Sequence, residues 1–307
     1  PSTGAVKSIR KLLIKSYNRA GENLLTLNML LEYDDPLPEL FISDYEGYIV
    51  ISNAVYGELI FLNSAGDTLR RAYIFQQNKF SYERNFDASI SQDGEFFVLG
   101  TMEKPAHPVT GGLPVLIFYS MNGREFWRRD LEGFSSGGAS ISYKGKFLSG
   151  SSYYYDKNKD KFNYFTYLFD SNGNILKRLP FLSRKSMFSK NLKYFLGANK
   201  KEAFLLNLET FEIMWSRKIS SGNRIICDLY MNDSGNSVIL TAFPKYRTDK
   251  FKFVSPIISY INNMGEVIWN REFPEDYFFI PAIKLSDDSR QIAVSFGKEL
   301  KIFQIEN

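Results

Sequence analysis

The chain has 307 residues, of which 44% are hydrophobic and 16% aromatic, so it can bury one large core or two modest ones. Its 38 basic and 34 acidic residues leave a formal charge of +4, and they are spread along the chain, which argues against a specific nucleic-acid role. The single cysteine, Cys227, excludes an intrachain disulfide and multi-cysteine metal sites, and the single histidine, His107, leaves little material for a zinc or iron centre. We therefore expect no metal site.

The sequence does not fix the compartment. No apolar run approaches the ~20 residues that a membrane-spanning helix needs, and no signal-peptide pattern remains at the N-terminus. The first residue is Pro1, which implies processing or a shortened chain, so we expect a soluble monomeric domain or the soluble part of a longer protein. Lack of disulfides fits both the cytosol and many bacterial extracytoplasmic spaces. A secreted, periplasmic or cell-surface location is slightly favoured.

One short pattern recurs six times: an apolar residue followed by Ser or Asn, a polar turn, and a second apolar run. The copies are residues 42–50, 90–98, 141–148, 188–195, 231–238 and 285–292. The turn position is occupied by Gly47, Gly94, Gly145, Leu192, Gly235 and Ser289. Because Gly tolerates the positive φ of a tight turn and the flanks are β-formers, each copy predicts a β-hairpin.

A second pattern alternates with the first along the chain. It is an apolar run, a polar turn and a further run that ends in Trp or another large apolar residue. Its copies are residues 59–69, 116–127, 167–176, 205–215 and 258–269, with a weaker one at 13–24. Each again predicts a β-hairpin, since Asn, Ser, Asp and Gly occupy the turns.

Together the two patterns predict an all-β fold. A unit of four short strands that repeats every roughly 40 to 50 residues is typical of a β-propeller blade. Each unit has two apolar inner strands and needs like neighbours on both faces, which a ring supplies. Six copies predict six four-stranded blades, and seven is the alternative if the N-terminal hairpin forms a partial blade.

The expected organisation is a single propeller domain over residues 1–307. Residues 34–280 would form five complete blades, and residues 281–307 would form a last blade that lacks one strand. The N-terminal segment 1–33 contains two strand-like runs. We expect it to close the ring by pairing beside residues 300–305, which would hide an edge that otherwise invites aggregation.

Residues 206–215, with the sequence LNLETFEIMW, resemble the repeat of pyrroloquinoline-quinone-like propellers, which combine Asp or Asn, a Thr-Gly turn and a closing Trp; Phe211 stands in the place of that Gly. The Ser-x-Asp-Gly stretch at 91–94 resembles WD-repeat-like propellers. The resemblance covers residues 9–307 approximately and implies a fold, not a function.

Quinone-dependent dehydrogenases of the first family hold their cofactor with a vicinal disulfide and calcium, so a chain with one cysteine is expected to have no cofactor. Trp127, Trp215 and Trp269 are interpreted as inter-blade packing residues.

Candidate chemical groups have simpler interpretations. His107 lies in a Pro- and Gly-rich loop without a Gly-x-Ser-x-Gly partner motif, so we expect a solvated side chain. Cys227 lies in an apolar stretch and is expected to be a small buried residue. The Asp-rich stretches 156–160 and 287–288 are expected to be solvated turns and not calcium loops. Alternate residues of a strand face opposite sides, so only part of the run Tyr153-Tyr154-Tyr155 can be presented together.

The favoured function is a non-catalytic binding, scaffold or sensor module. In a propeller, the connections between the second and third strands of each blade share one face, and here they are long, at residues 101–114, 151–164 and 243–255. Binding residues concentrate on such elaborated connections. The candidate binding residues are Lys104, His107, Tyr155, Lys157, Lys245, Tyr246, Arg247 and Lys250, with Lys159, Lys161, Lys252, Phe162, Tyr164 and Phe251 beside them. This mixture suits an acidic protein or an anionic surface polymer, although charged tips that only confer solubility are an equal alternative.

The alternative function is a carbohydrate-active hydrolase or lyase. A ring brings carboxylates from distant parts of the sequence together at its central channel, and sequence spacing cannot expose such a site. Two carboxylates within roughly 5 to 10 Å at the channel mouth would favour this alternative. A channel lined by Ser, Ile and Phe would argue against it.

Overall fold

In this computed structural model the described residues are 9–17, 23–32, 39–43, 47–53, 57–74, 87–103, 113–133, 135–247, 250–273, 276–277, 282–296 and 299–305. They form strands β1 to β26 and one short 3-10 turn at Tyr143–Gly145. The described part of the chain contains no helix that is long and apolar enough to span a membrane.

Six antiparallel sheets follow one another along the chain, and consecutive strands pair within each sheet. Blade one comprises β3 (Glu39–Ile42), β4 (Ile49–Asn53), β5 (Glu58–Leu62) and β6 (Thr68–Tyr73). Blade two comprises β7 (Asp87–Ile90), β8 (Phe96–Glu103), β9 (Leu113–Ser120) and β10 (Glu125–Asp130). Blade three comprises β11 (Ser135–Ile141), β12 (Phe147–Asp156), β13 (Lys161–Asp170) and β14 (Ile175–Leu179).

The remaining three sheets continue the same up-and-down order. Blade four comprises β15 (Lys185–Phe188), β16 (Tyr194–Ala198), β17 (Glu202–Asn207) and β18 (Ile213–Lys218). Blade five comprises β19 (Ile225–Met231), β20 (Ser237–Arg247), β21 (Lys250–Ile261) and β22 (Val267–Glu272), and β23 (Asp276–Tyr277) also pairs with β21. Blade six comprises β24 (Ala282–Leu285), β25 (Gln291–Phe296) and β26 (Glu299–Gln304). The strands of a blade are called a to d in chain order.

This arrangement confirms the predicted all-β fold with six blades. The N-terminal segment forms β1 (Ile9–Tyr17) and β2 (Asn23–Glu32), which pair with each other as a separate two-stranded sheet. Among the described strands, β1 and β2 pair only with each other, and closure of the ring beside β26 by this segment stays a prediction. The division into segments 1–33, 34–280 and 281–307 remains a prediction.

All six aligned positions of the first repeat have a left-handed backbone. The a–b turn residues are Gly47 (φ 66°), Gly94 (74°), Gly145 (61°), Leu192 (63°), Gly235 (80°) and Ser289 (62°). Phe211, which stands in the place of a family glycine, also has a positive φ of 55°. The left-handed turn conformation is therefore kept at Leu192, Ser289 and Phe211, although a residue with a Cβ atom adopts it at an energetic cost.

The core lies between consecutive blades. The middle strands are buried, as in β5, whose five residues are all buried, whereas the d strand β6 is mostly exposed. Apolar clusters join each blade to the next, for example Phe61 of blade one and Phe97 of blade two, whose ring centroids lie 5.9 Å apart. In blades four and five, Leu205 and Ile239 belong to one cluster and are both fully buried. Each blade therefore depends on its neighbours for burial of its apolar faces.

A Trp-x-Arg sequence on three d strands reaches across to the following blade. Trp127 Nε1 donates a hydrogen bond to the Ser171 carbonyl at 2.9 Å, and Arg129 Nε donates to the Gly173 carbonyl at 3.0 Å. Arg217 likewise donates to the Gly265 carbonyl of blade five, whereas the Trp215 ring packs against Gly265 and its buried Nε1 has no hydrogen-bond partner among the described residues. The third pair, Trp269 and Arg271, packs on the ring of Phe303 in blade six. All three Trp side chains thus lie between blades.

Candidate functional site

The b–c connection of blade three is a projecting β-hairpin. Residues 151–164 were expected to be a long loop, but β12 and β13 pair without interruption from Phe147 with Asp170 to Asp156 with Lys161. The expectation was wrong because this stretch is rich in Tyr and Phe, which favour strand pairing. The neighbouring strand β11 pairs with β12 only as far as Tyr153, and β14 pairs with β13 only as far as Thr166. The tip of the hairpin therefore extends beyond the rest of its sheet.

Four aromatic side chains occupy one side of this hairpin. The register pairs Tyr153 with Tyr164 and Tyr155 with Phe162, so all four lie on the same side, named here the aromatic face. Ring centroids are 5.1 Å apart for Tyr155 and Phe162, and 6.1 Å apart for Phe162 and Tyr164. Exposed fractions are 40% for Tyr155, 50% for Phe162 and 42% for Tyr164. Large apolar groups thus form a continuous and solvent-exposed row.

The opposite side of the same hairpin is covered by its own chain. Tyr154 and Phe165 pack there with ring centroids 5.8 Å apart. The Arg178 guanidinium lies 4.0 Å from the centroid of Phe165 and forms an ion pair with Glu132 at 2.6 Å. The tyrosine run is therefore divided as alternation requires, with Tyr154 on the covered side and its two neighbours on the aromatic face.

The tip of the hairpin carries Lys157, Lys159 and Lys161, all exposed. Asp156 Oδ1 accepts hydrogen bonds from the backbone N–H groups of Asn158 at 3.0 Å and Lys159 at 3.3 Å, as in an Asx turn. The Tyr155 hydroxyl donates to Asp160, a bond that raises the pKa of Tyr155. Both carboxylates of the tip are thus engaged in holding the turn. No group of three or more potential metal ligands occurs among the described residues.

The candidate binding residues of blade five lie on the hairpin formed by β20 and β21. Lys245 is exposed on β20, whose register with β21 sets Lys245 opposite Lys252 and Arg247 opposite Lys250. Tyr246 pairs with Phe251 in the same ladder. The b–c connection of blade five, expected as a loop at 243–255, is therefore also a long hairpin. Lys104 and His107 lie outside the described residues, so the structure brings together Tyr155 and Lys157 alone among the candidates with described side chains.

The a strands of blades two to six enclose a channel cavity of about 620 Å³. Its apolar and hydroxyl lining includes Ser89, Ile90, Ser140, Ile141, Ser186 and Phe188. Its charged lining consists of Lys185, Lys190, Asp228, Asp233, Lys284 and Asp287. These charged residues could not be grouped from the sequence, since they come from different blades. The only signal for them was their place at or near the a–b repeat.

Two of the channel carboxylates are held by backbone donors. Asp228 accepts a bond from its neighbour Leu229 at 2.9 Å and one from the Ile283 N–H of blade six. Burial raises the pKa of Asp228, and the ammonium groups of Lys185 and Lys284 and these backbone bonds oppose the rise. Asp233 Oδ1 accepts a bond from the Asn191 N–H at 2.9 Å.

Cys227, which precedes Asp228, is buried, and it lies at the irregularity in the pairing of β19 with β20. Burial raises the pKa of its thiol to about 11, so the thiolate form is scarce at neutral pH. The prediction of a small buried residue is therefore confirmed.

Comparisons with known proteins give structural neighbours only. No protein-family model matches the chain, and a search of curated proteins gives no match. Among solved structures, the chain is similar to Kuenenia stuttgartiensis hydrazine synthase at 13% identity, with a TM-score of 0.57 and coverage of 90% of this chain and 78% of that one. It is also similar to a eukaryotic initiation factor at 14% identity, with a TM-score of 0.52 and coverage of 90% and 67%.

A third neighbour is itself described as a β-propeller. The Cps50 (Swd1) β-propeller domain of Myceliophteria thermophila is 14% identical, with a TM-score of 0.52 and coverage of 88% of this chain and 83% of that domain. Likeness at such low identity concerns the fold and not the function. The chain is a β-propeller.

Proposed function

We propose that this propeller is a non-catalytic binding module and that the aromatic face of the β12–β13 hairpin docks a partner protein with acidic residues. The observation that carries the proposal is the contrast between the two sides of the hairpin. One side is covered by Arg178, whereas Tyr155, Phe162 and Tyr164 remain 40 to 50% exposed on the other. Exposed apolar groups that are contiguous and rimmed by polar residues are characteristic of interaction sites.

The geometry of the aromatic face suits binding energetically. Tyr and Phe present large contact areas with only two side-chain torsions, so little conformational entropy is lost when a partner orders them. Cross-strand pairing and ring contacts already restrict them, as in the pair Phe162 and Tyr164, whose ring planes are 16° apart. Tyr and other aromatic residues are enriched at the centres of protein interfaces. The aromatic face would therefore lose little side-chain entropy on binding a partner.

Charges at the tip favour an acidic partner. Asp156 and Asp160 hold the turn, and Lys159 is the one tip lysine in an ion pair, at 3.7 Å from Asp156. Lys157 and Lys161 form no ion pair among the described residues and are exposed. Complementary charge at an interface rim raises the association rate more than the affinity. We therefore expect the partner to place carboxylates beside the tip and apolar groups on the rings.

A protein partner accounts for these features better than a surface polymer does. An anionic polymer supplies the charges but not the apolar groups that would cover Phe162. The channel offers less support for hydrolysis, because the carboxylates of Asp228 and Asp233 are both occupied by backbone N–H groups. Acid–base chemistry of the glycosidase type uses a pair of carboxyl groups that act on substrate and water.

Selection from a displayed random-peptide library tests the proposal. The parent protein is the bait, and each enriched peptide is measured against a triple variant, Tyr155→Ser, Phe162→Ser and Tyr164→Ser. The control is Tyr73→Ser, which removes a 53% exposed ring from the outer strand of blade one. We expect acidic peptides with apolar residues that lose at least about tenfold in affinity for the triple variant and bind the control normally. Peptides that bind the triple variant as tightly as the parent would remove the aromatic face from consideration.

A further inference from the structure

We propose that the channel cavity is a second binding site, for a small organic polyanion such as a phosphate ester or a polycarboxylate. The inference is independent of the proposed partner surface. It rests on the convergence of three ammonium groups in a cavity of about 620 Å³. This volume lies within the range of about 300 to 1,000 Å³ that is usual for small-molecule sites.

The lysines come from different places in the ring. Lys185 begins the a strand of blade four, Lys190 follows in the a–b turn of that blade, and Lys284 lies on the a strand of blade six. None of the three takes part in an ion pair within the described parts of the chain. Lys284 is instead positioned by an aromatic ring, with Nζ 4.4 Å from the centroid of Tyr230. Their ammonium groups are therefore available as donors to a ligand.

The carboxylates of the cavity neutralise these lysines only partly. Asp228 is bound by the Leu229 and Ile283 N–H groups, and Asp233 is bound by the Asn191 N–H group. Asp287 is exposed in the a–b turn of blade six, so solvent shares its charge. Backbone donors thus share the charge of the inner acids, and the lysines keep hydrogen-bonding capacity for an anion.

Hydroxyl groups supply a further polar part of the lining. Ser186 donates a hydrogen bond to Ser140 at 3.0 Å, and the oxygens of Ser140 and Ser149 lie 2.7 Å apart. Each hydroxyl has one proton and two lone pairs, so Ser140 and Ser186 keep lone pairs that can accept a hydrogen bond from a hydroxyl group of a ligand. A ligand with anionic groups near the lysines and a hydroxyl group near the serines would satisfy both kinds of group.

Calorimetric titration of the full chain with inorganic pyrophosphate and with citrate, at constant ionic strength, tests this site. The two probes separate the phosphate and carboxylate forms of the ligand. Binding should weaken by about ten- to hundredfold in the double variant Lys185→Gln and Lys284→Gln. Lys218→Gln, an exposed lysine on the outer strand of blade four, is the matched control and should leave binding unchanged.

A third variant distinguishes a binding role from a folding role. Asp228→Asn keeps an oxygen that accepts the Ile283 N–H bond but removes a negative charge beside the lysines, so it should strengthen binding of the probe. Failure of both probes to bind at millimolar concentration would overturn the proposal. Equal affinity of the parent and the double lysine variant would also overturn it, provided that both melt cooperatively.

Discussion

The carboxylate of Asp87 accepts a hydrogen bond of 2.9 Å from the backbone N–H of Ala139, which belongs to the a strand of the next blade. Asp228 and Ile283 make the same connection between blades five and six. Asp87 and Asp228 both stand four residues before the Ser or Asn that directly follows their a strand. In the described part of the chain, the a strands of neighbouring blades do not pair with each other. Instead, an aspartate side chain of one blade accepts a backbone hydrogen bond from the a strand of the next.

Asp87→Ala should lower the free energy of unfolding by about 1 to 3 kcal/mol, because it leaves the Ala139 N–H without its acceptor. Asp87→Asn should lower it less, since the amide oxygen can still accept the bond. Denaturant unfolding of the three proteins measures the difference. Equal destabilisation by Ala and Asn would show that the charge matters and the hydrogen bond does not.

Asp228 gives stability a specific pH dependence. Burial raises its pKa in the folded state, against opposition from Lys185, Lys284 and the backbone N–H groups. A proton is therefore bound more tightly by the folded chain than by the unfolded chain, and the carboxyl contributes stability at low pH that is lost as pH rises through the folded pKa. Asp228→Asn should be more stable than the parent at neutral pH. This advantage should shrink as pH falls through the folded pKa and vanish below the ordinary pKa of an Asp carboxyl.

Denaturant unfolding of the parent and Asp228→Asn across the acid range measures that change. A stability difference that stays constant with pH would show that the titration of Asp228 is not linked to folding.

Trp215→Ala should destabilise the protein by about 3 to 5 kcal/mol, the usual range for deletion of a buried aromatic side chain. Trp215 is 8% exposed, and a Cβ atom built on Gly265 of blade five would lie only 2.8 Å from it. Trp269→Ala should have a smaller effect, because Trp269 is only partly buried. The midpoint of denaturant unfolding measures both, and an equal or reversed order would contradict the packing role assigned to Trp215.

Leu192→Gly should stabilise the protein by about 0.5 to 1 kcal/mol. Leu192 has a φ of 63°, a region that glycine enters without a steric penalty and leucine does not. Lys193→Gly, at the next position, is the control and should destabilise, because it adds flexibility without relieving strain. A loss of stability in Leu192→Gly larger than in the control would mean that contacts of the leucine side chain outweigh its backbone strain.

Deletion of residues 1–33 tests the predicted closing role of the N-terminal segment. The last sheet has three strands among the described residues, and Leu300 and Ile302 on its outer strand are 66% and 60% exposed. If the segment protects this edge, its removal should lower the melting temperature and promote aggregation. A soluble deletion variant with the melting temperature of the full chain would contradict the closing role.

The fold was predictable because the repeated turns carry a chemical signature. Gly94 and Gly235 occupy turn positions that need a positive φ. The flanking repeat marks the equivalent positions even where Leu192 or Ser289 stands in place of glycine, and these two residues also have a positive φ. The Trp-x-Arg contacts were only half predicted. The tryptophans were noted as inter-blade residues, but the role of Arg217 depends on a carbonyl group in another blade.

The candidate sites were less predictable, for two physical reasons. The hairpin at β12 and β13 was expected as a loop because lysines at its tip masked a strand pattern that continues through Tyr155 and Phe162. The channel lysines could not be grouped from sequence at all. Lys185 and Lys284 line the same cavity only because the ring brings the a strands of separate blades together.

The most direct test of the account is site-specific photo-crosslinking in the cells that make the protein. Phe162→p-benzoylphenylalanine places a reactive group in the middle of the aromatic face, and Tyr73→p-benzoylphenylalanine places the same group on the exposed outer strand of blade one. We expect a discrete adduct with one protein at position 162, weakened by Lys157→Glu with Lys161→Glu, and no such adduct at position 73. An adduct of equal yield at both positions, or at position 73 alone, would contradict it.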